Sequence, residues 1–335
     1  MDRSILGSVG LQIRRCARLV ISSCLGLVGH GTLIDQLSET FSRLRRLESI
    51  VAKEIDRLDG YLVYHVDSLS RQIAELNKIS YLHANLDALL ITGDEFDLLI
   101  PTPEAGLLSY VARNGVDTIE PGVRAVLQAR LHPGGTAVDI GANIGVHALI
   151  MAKIVGPNGR VVCFEPLPHV ASTLERTLRL NGFGERTQVL CSAAADSTGE
   201  ATLHRASQSP TSALYPTPEK RTSLAVKTIT LDDHFAPGER IDLVKIDVKG
   251  TEALAYKGMS RVLRENPEIK LILKWSGSHF AQSGQSPELF WDLIRNDGFR
   301  PLRIDDERPG QLEALQGGVA TISDTANILL TRKRE

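Results

Sequence analysis

The chain has 335 residues, 42% of them hydrophobic and 23% charged, with a net charge of -2. Such a length and apolar content support one large or two modest domains with a real core, and the near-neutral balance excludes a global basic field for nucleic acid. The four cysteines, Cys16, Cys24, Cys163 and Cys191, form no Cys-x-x-Cys pair or Cys/His cluster, which speaks against bound metal and for a reducing compartment.

Residues 1–32 carry Arg14, Arg15 and Arg18 ahead of Leu19 to Gly29, an uncharged stretch of eleven residues. A spanning helix needs about 20 apolar residues, and His30-Gly31 makes a poor signal-cleavage site. The segment reads as packed or disordered within a cytoplasmic protein, or as a peripheral contact with an anionic inner-membrane surface. From Leu33 to about Leu90 there is no proline, and apolar residues recur at alternating fours and threes. Leu37, Phe41, Leu44, Val51, Ile55, Leu58, Leu62, Leu69 and Leu76 hold one seam, interrupted by Glu48, His65 and Gln72. This spacing predicts a long α-helical, coiled-coil-like arm over 33–90 that pairs with a second copy, or else folds back on its own chain. Arg43, Arg45, Arg46, Glu54, Asp56 and Arg57 form its solvated exterior.

Thr92-Gly93-Asp94 marks a boundary, so that 91–335 forms the main domain. Phe96 to Ile100 reads as a strand stopped by Pro101, Gly106 to Asn114 as a helix, and Gly122 to Leu131 as another, entered through Glu120-Pro121. The central stretch is Thr136 to His147, TAVDIGANIGVH. A buried strand that turns at once into a helix needs glycine where the backbone bends or approaches a ligand. A pyrophosphate-binding turn would read G-x-G-x-x-G on bare helix N-terminal amides. Here Asp139 precedes Gly141 and Asn143 stands between Gly141 and Gly145, which would repel pyrophosphate but suit a ligand bearing an ammonium group. Glu165 ends the next apolar run about 20 residues after Gly145, the spacing at which an acid reaches a ribose diol. Asp139 and Glu165 together point to S-adenosylmethionine.

Pro166 and Pro168 then start a helix to Asn181. Gln188 to Cys191 gives a third strand, followed by Ser192, Ala193 and Asp196, where small residues leave room for a flat ring and a polar group can meet an adenine amine. Ala201 to His204 and Ser223 to Thr228 pair as a hairpin around a Ser/Thr/Pro-rich loop, Ser207 to Thr222, which is either a substrate lid or an unstructured connector. Ile241 to Val248 is the fourth core strand, and its end places Asp247 in the same crevice as Asp139 and Glu165. Trp275 to His279 follows the fifth strand as a second substrate wall; His279 and His234 read mainly as ordinary loop histidines. Arg300 to Ile304 and Ala326 to Thr331 complete seven strands, with helices on both faces.

TAVDIGANIGVHALIMA, RVVCFEPLPHVASTLERTLRLNGF, LDDHF and IDLVKIDVKGTEALAYKGM, in that order, resemble the FkbM family of S-adenosylmethionine-dependent methyltransferases over Gly93 to Lys333. The resemblance implies a class I, Rossmann-like, doubly wound α/β fold. It also implies S-adenosylmethionine held by Asp139, Gly141, Ala142, Asn143, Gly145 and Glu165. In the family a glutamate-proline lies over the cofactor pocket, which makes Glu120 a further ligand or, on its own position before Pro121, a helix-capping acid. The family usually has glutamate where Lys249 and Lys274 stand.

Two accounts of that departure stay open. In one, Asp247, Lys249 and Lys274 line the acceptor side and orient or deprotonate a hydroxyl, in part like the lysine-aspartate-lysine-glutamate tetrad of ribose 2′-O-methyltransferases. In the other, the lysines compensate neighbouring acids, or leave a catalytically silent cofactor-binding scaffold. The favoured acceptor is a hydroxyl on a sugar, glycan or other small molecule, with another methyl acceptor as an alternative. Nucleic acid is not expected, because no basic stripe with interleaved aromatics appears.

Overall fold

The computed structural model describes residues 82–332, less 85–86, 105–106, 108–110, 112–114, 116–118, 207–213, 216–219, 316, 319–321 and 323–324, together with scattered positions between 39 and 54. Two compact units divide the chain, Met1–Ile73 and Ala74–Glu335. Within the first, the described positions between Glu39 and Glu54 are helical. Arg43 Nη2 reaches Glu39 Oε1 one turn away at 2.7 Å, an exposed pair. Of the predicted seam only Val51 is described, and it is exposed. The rest of that seam and residues 1–32 lie outside the described residues.

The second unit opens with β1 (Leu82–Ala84), β2 (Ala88–Thr92) and β3 (Asp97–Pro101), an antiparallel three-stranded sheet. The helical reading of 33–90 therefore fails at its C-terminal end, and a boundary between 90 and 91 would cut β2. The reason is tertiary: Ile91 pairs with Leu98 in register, and both are fully buried. Gly93 N–H closes the turn on the Phe96 carbonyl at 2.9 Å. A short apolar run between turn residues fits a strand or a helix equally well until something pairs with it.

The other strands are β4 (Thr136–Ile140), β5 (Arg160–Phe164), β6 (Thr187–Leu190), β7 (Ala193–Ala194), β8 (Gly199–Ala206), β9 (Lys220–Ile229), β10 (Leu243–Ile246), β11 (Lys270–Ser276), β12 (Arg300–Ile304), β13 (Leu312–Ala314) and β14 (Thr325–Thr331). Helices α1 (Pro121–Arg130), α2 (Val146–Val155), α3 (Pro168–Leu180), α4 (Leu231–His234), α5 (Glu252–Lys257), α6 (Ser260–Glu265), α7 (Gly277–Ser283) and α8 (Pro287–Asn296) intervene. The main sheet runs β13-β12-β14-β11-β10-β4-β5-β6, with β4, β5, β6, β10 and β11 mutually parallel and β14 antiparallel between β11 and β12. The seven expected strands are all present. An eighth, the edge strand β13, pairs antiparallel with β12 and was not foreseen.

Strand period decides which residues meet which helices. Ala137, Val161, Cys163, Leu243, Ile272 and Leu329 face a core closed by residues of α1, α2 and α3. The alternate set, Val138, Val162, Val244, Leu271, Leu273 and Ile328, faces a second core closed by α5, α6 and α8. Both faces of the central strands are buried, which is why they read as continuous apolar runs. β8 and β9 form the predicted hairpin, His204 opposite Ser223, with β7 adding parallel to β9. Among the described residues no helix is long and apolar enough to cross a membrane.

Candidate active site

The C-terminal ends of β4, β5 and β10 open on a cleft. Its floor contains Gly141, Asn143, Phe164 and Glu165, one wall contains Leu167, Val170, Ala193, Ala194, Leu203 and Leu214, and the far side carries Asp247, Val248, Lys249 and Thr251. Local backbone geometry builds that floor. Gly141 N–H and Ala142 N–H both donate to the Phe164 carbonyl, at 2.9 and 3.1 Å, so the β4 turn is clamped to the end of β5. Gly141 has φ +77, and a Cβ there would lie 2.2 Å from the Asp247 carbonyl oxygen. Gly145 has φ +96, and its Cβ would meet Leu174 at 2.3 Å. The backbone itself thus demands glycine at both positions, Gly141 by its φ and the Asp247 carbonyl and Gly145 by its φ.

Glu165 is nearly buried, and its two carboxylate oxygens each accept one backbone N–H, from Asn143 and from Leu167, both at 3.0 Å. Burial outweighs those bonds and raises its pKa to about 7. Asn143 sits beside it in the left-handed region, with its Oδ1 buried and lacking a hydrogen-bond partner. An acid with free lone pairs and an unmet amide acceptor in an apolar-walled cleft fit a ligand with a diol, a flat ring and an ammonium group.

Asp139 does not reach that cleft. It is 1% exposed, and its oxygens complete no hydrogen bond, although the Ala148 amide faces it. Burial raises its pKa to about 6, against the pull of Lys245, whose Nζ lies 3.9 Å from Oδ1. Of the two expected acids, the cleft lining therefore includes Glu165 and not Asp139. Lys245 itself went unread as a site residue. It is 3% exposed, pairs in register with Asp139, and lies 3.7 Å from Asp247 Oδ2. A lysine inside the apolar strand LVKI, two residues from an acid and therefore on the same face, was the available signal.

Asp247 also bonds Lys249, and although burial opposes it, Lys245, Lys249 and Lys274 hold its carboxyl well below the usual carboxylate range. Lys274 bonds Glu120 rather than lining the cleft. Glu120 neither lines the cleft nor caps α1; its carboxylate meets Lys274, the Asn327 amide at 3.2 Å and His147 Nε2 at 3.2 Å. Burial pushes Glu120 up, but His147 when protonated and the Lys245 and Lys274 ammonium groups outweigh it and bring the pKa to about 2. Burial drives His147 down to about 3, so it is neutral near pH 7. Both accounts of the lysines are compatible with these pairings: each lysine meets an acid, while Lys249 lines the cleft and Lys274 stays partly exposed.

The other expected neighbours divide. Ala193 lines the cleft, while Ser192 and Asp196 do not, because the chain leaves the sheet edge at β7 to join β9, with Ala195 N–H on the Ile229 carbonyl at 3.1 Å. Ala142 is buried beneath the floor. Leu214 lines the cleft and Tyr215 packs over Gly250, where a Cβ would lie 3.0 Å from Tyr215 Cε1. Of the Ser207–Thr222 loop, Leu214 thus borders the cleft and Tyr215 packs on the turn after β10; most of that loop lies outside the described residues. The His279 carbonyl packs on Gly250, where a Cβ would lie 2.6 Å from its oxygen. His234 stacks edge-on against Phe164 and Phe235. Among the described residues no group of three or more metal-ligating side chains occurs.

The three non-glycine residues with positive φ among those described are Glu120, Asn143 and Lys249. Asn143 and Lys249 line the cleft and Glu120 lies outside it; such strained backbone commonly concentrates near functional sites. The profile of the Methyltransferase FkbM domain matches residues 139–301, spanning both the floor and the charged side. The methyltransferase sdnD of Sordaria araneosa is 30% identical over 194 residues, covering 48% of this chain and 72% of that protein. The chain belongs to the FkbM methyltransferase family. S-adenosylmethionine is that family's methyl donor, and the cleft floor of this FkbM protein fits it.

A protein-L-isoaspartate O-methyltransferase of Methanococcus aeolicus is 38% identical over 61 residues, 18% of this chain. The chain spans only 28% of the length of that relative, and a similar share of the next three. A solved S-adenosylmethionine-dependent methyltransferase structure from Aquifex aeolicus aligns over 65% of this chain and 93% of its own, at 13% identity and a TM-score of 0.39.

Proposed function

We propose that the chain transfers the methyl group of S-adenosylmethionine to a hydroxyl oxygen on a sugar, glycan or comparable small molecule. The observation that carries this reading is a single cleft in which Glu165 and Asn143 face Asp247 and Lys249. Glu165 would accept ribose hydroxyls, Asn143 Oδ1 the ammonium group, and Ala193, Ala194 and Leu203 would flank the adenine. The cofactor supplies an activated methyl group; the protein's part is alignment and exclusion of water, which can account for much of the rate. Asp247, ionised at neutral pH, would accept a hydrogen bond from the acceptor hydroxyl and fix its oxygen, and Lys249 would keep that carboxylate charged.

The pairing of Lys249 with Asp247 and of Lys274 with Glu120 also supports a second reading, a chain that binds the cofactor and turns nothing over. Incubation with isotopically labelled S-adenosylmethionine and a panel of hydroxylated acceptors separates the two. Labelled product together with S-adenosylhomocysteine supports transfer. Calorimetric binding without product across the panel supports the silent scaffold, and absence of binding removes both.

We further propose that a cytoplasmic homo-oligomer forms through the segment that holds the helical positions between 39 and 54, where Leu47, Ile50 and Val51 are exposed. A monomeric mass of the full chain by light scattering at micromolar concentration would end that proposal. Contact of residues 1–32 with an inner-membrane surface is tested by sedimentation with anionic vesicles, where recovery in the supernatant would reject it.

A further inference from the structure

The cofactor cleft leaves a second cluster unexplained, beyond Asp247 on the ends of β11 and β14. Glu120 holds a left-handed conformation, φ 48 and ψ 64, that a side-chain-bearing residue rarely adopts, and it makes no capping bond in return. What the conformation achieves is aim, because the carboxylate meets Lys274 and the Asn327 amide. Lys274 and Asn327 stand opposite one another in the β11–β14 register, on the face shared with Lys245. Asn327 also donates to Asp306 Oδ2 at 3.1 Å, and Asp306 Oδ1 accepts the Gly122 N–H at 2.9 Å. A Cβ on Gly122 would lie 2.6 Å from the Asp305 carbonyl, so α1 can approach this loop only through glycine.

The strand ends, the start of α1 and the β12–β13 loop are thus locked into one ledge. Lys274 remains 22% exposed there with three donor hydrogens, and Asp306 is exposed beside it. The ledge alternates donors and acceptors, and Glu120, Asp306 and Asp247 would oppose an anion. Neutral hydroxyl groups satisfy both kinds of partner without meeting that repulsion.

We propose that this ledge is the acceptor-recognition subsite and that it takes an uncharged polyhydroxylated molecule, Lys274 donating to one of its hydroxyl oxygens while Glu120 acts as the positioning residue for Lys274. The inference rests on the methyl-transfer reading above. It is tested on the full chain saturated with S-adenosylhomocysteine, by saturation-transfer NMR with D-glucose, L-rhamnose and myo-inositol as probes and by phosphorus line width with inorganic phosphate. At least one polyol is expected to bind, with affinity weakened about tenfold or more by Lys274→Met and by Glu120→Ala, the loss expected for a hydrogen bond to a charged group. Glu120→Gln, which keeps an acceptor for Lys274, should lose less. S-adenosylhomocysteine affinity, measured in parallel and serving as the check on folding, should stay within about twofold in all three, since neither residue lines its cleft.

Absence of any polyol signal in the unaltered chain, an undiminished signal in Lys274→Met, or phosphate binding in place of polyol binding would each overturn the subsite. So would a parallel collapse of S-adenosylhomocysteine affinity in folded protein, which would return the cluster to the cofactor. Failure of the unaltered chain to bind S-adenosylhomocysteine would instead remove the reading on which the subsite rests.

Discussion

The two halves of the strand-end edge are built by different physics. At β4 and β5 the site is mainly shape: two left-handed glycines, a backbone clamp onto Phe164 and one nearly buried acid whose bonds run to main-chain amides. At β10, β11 and β14 it is mainly charge: Lys245, Lys249 and Lys274 interleaved with Asp139, Asp247 and Glu120. The shape half can be damaged by a single added methyl group and is insensitive to salt. The charged half tolerates small steric changes but not removal of one sign, because a buried ion left without its partner keeps its desolvation cost.

The largest effect should come from breaking the charged half at its centre. Lys245→Met leaves Asp139 and Asp247 without their shared cation and is expected to cost about 3–5 kcal/mol in denaturant unfolding, partly recovered by adding Asp139→Asn. An equal loss in the double variant would show that the two groups are not coupled. Gly141→Ala attacks the shape half. With its Cβ 2.2 Å from the Asp247 carbonyl and φ +77, it should cost more than ~2 kcal/mol and weaken cofactor binding, which calorimetry can compare directly with Lys245→Met.

Glu165→Ala removes a ligand rather than a support. It should weaken S-adenosylmethionine binding by roughly 2–3 kcal/mol, on the order of 100-fold in Kd, with near-native circular dichroism.

The pH dependence sharpens the same contrast. Glu165 must be ionised to accept two hydroxyls, yet burial holds its pKa near 7, so cofactor affinity should fall by up to about tenfold per unit as pH drops below 7. In Glu165→Gln that slope should vanish. The raised pKa also acts on stability with the opposite sense. A carboxyl raised from 4.5 to about 7 contributes fully below 4.5 and loses its contribution as pH rises through 7, so the unliganded chain should gain relative thermal stability on mild acidification from this group and from Glu252. Buried neutral His147 works the other way, losing its contribution as pH falls from 6.5 towards about 3. The smallest effect belongs to neither half. Arg179→Ala removes an exposed one-turn ion pair with Glu175 on α3 and should change stability by less than ~0.5 kcal/mol.

Much of this was legible along the chain. The strand-turn-helix at 136–155, the acid after β5 and the hairpin of β8 and β9 follow from local rules, and each falls within a residue or a few of its expected place. Leu82 to Leu90 was misread because an apolar run of that length satisfies a helical seam until β3 supplies a partner. Lys245 was overlooked because a lysine in LVKI looks like an interruption when only its own strand is considered. Glu120 suggested a cap or a ligand, the two roles that its neighbours in sequence permit.

The sequence by itself determined the fold family and the cofactor-facing turn, since both depend on residues near each other in the chain, where glycine conformation and strand period act directly. It also named Asp247, Lys249 and Lys274 of the charged half, but not Lys245. Only the tertiary structure decided who pairs with whom: Lys274 with Glu120 across 154 positions, and Lys245 with Asp139 across adjacent strands, with Asp139 buried outside the cleft lining. Ion pairing between distant segments depends on strand order and register, and those are set by which apolar faces the whole chain can bury at once.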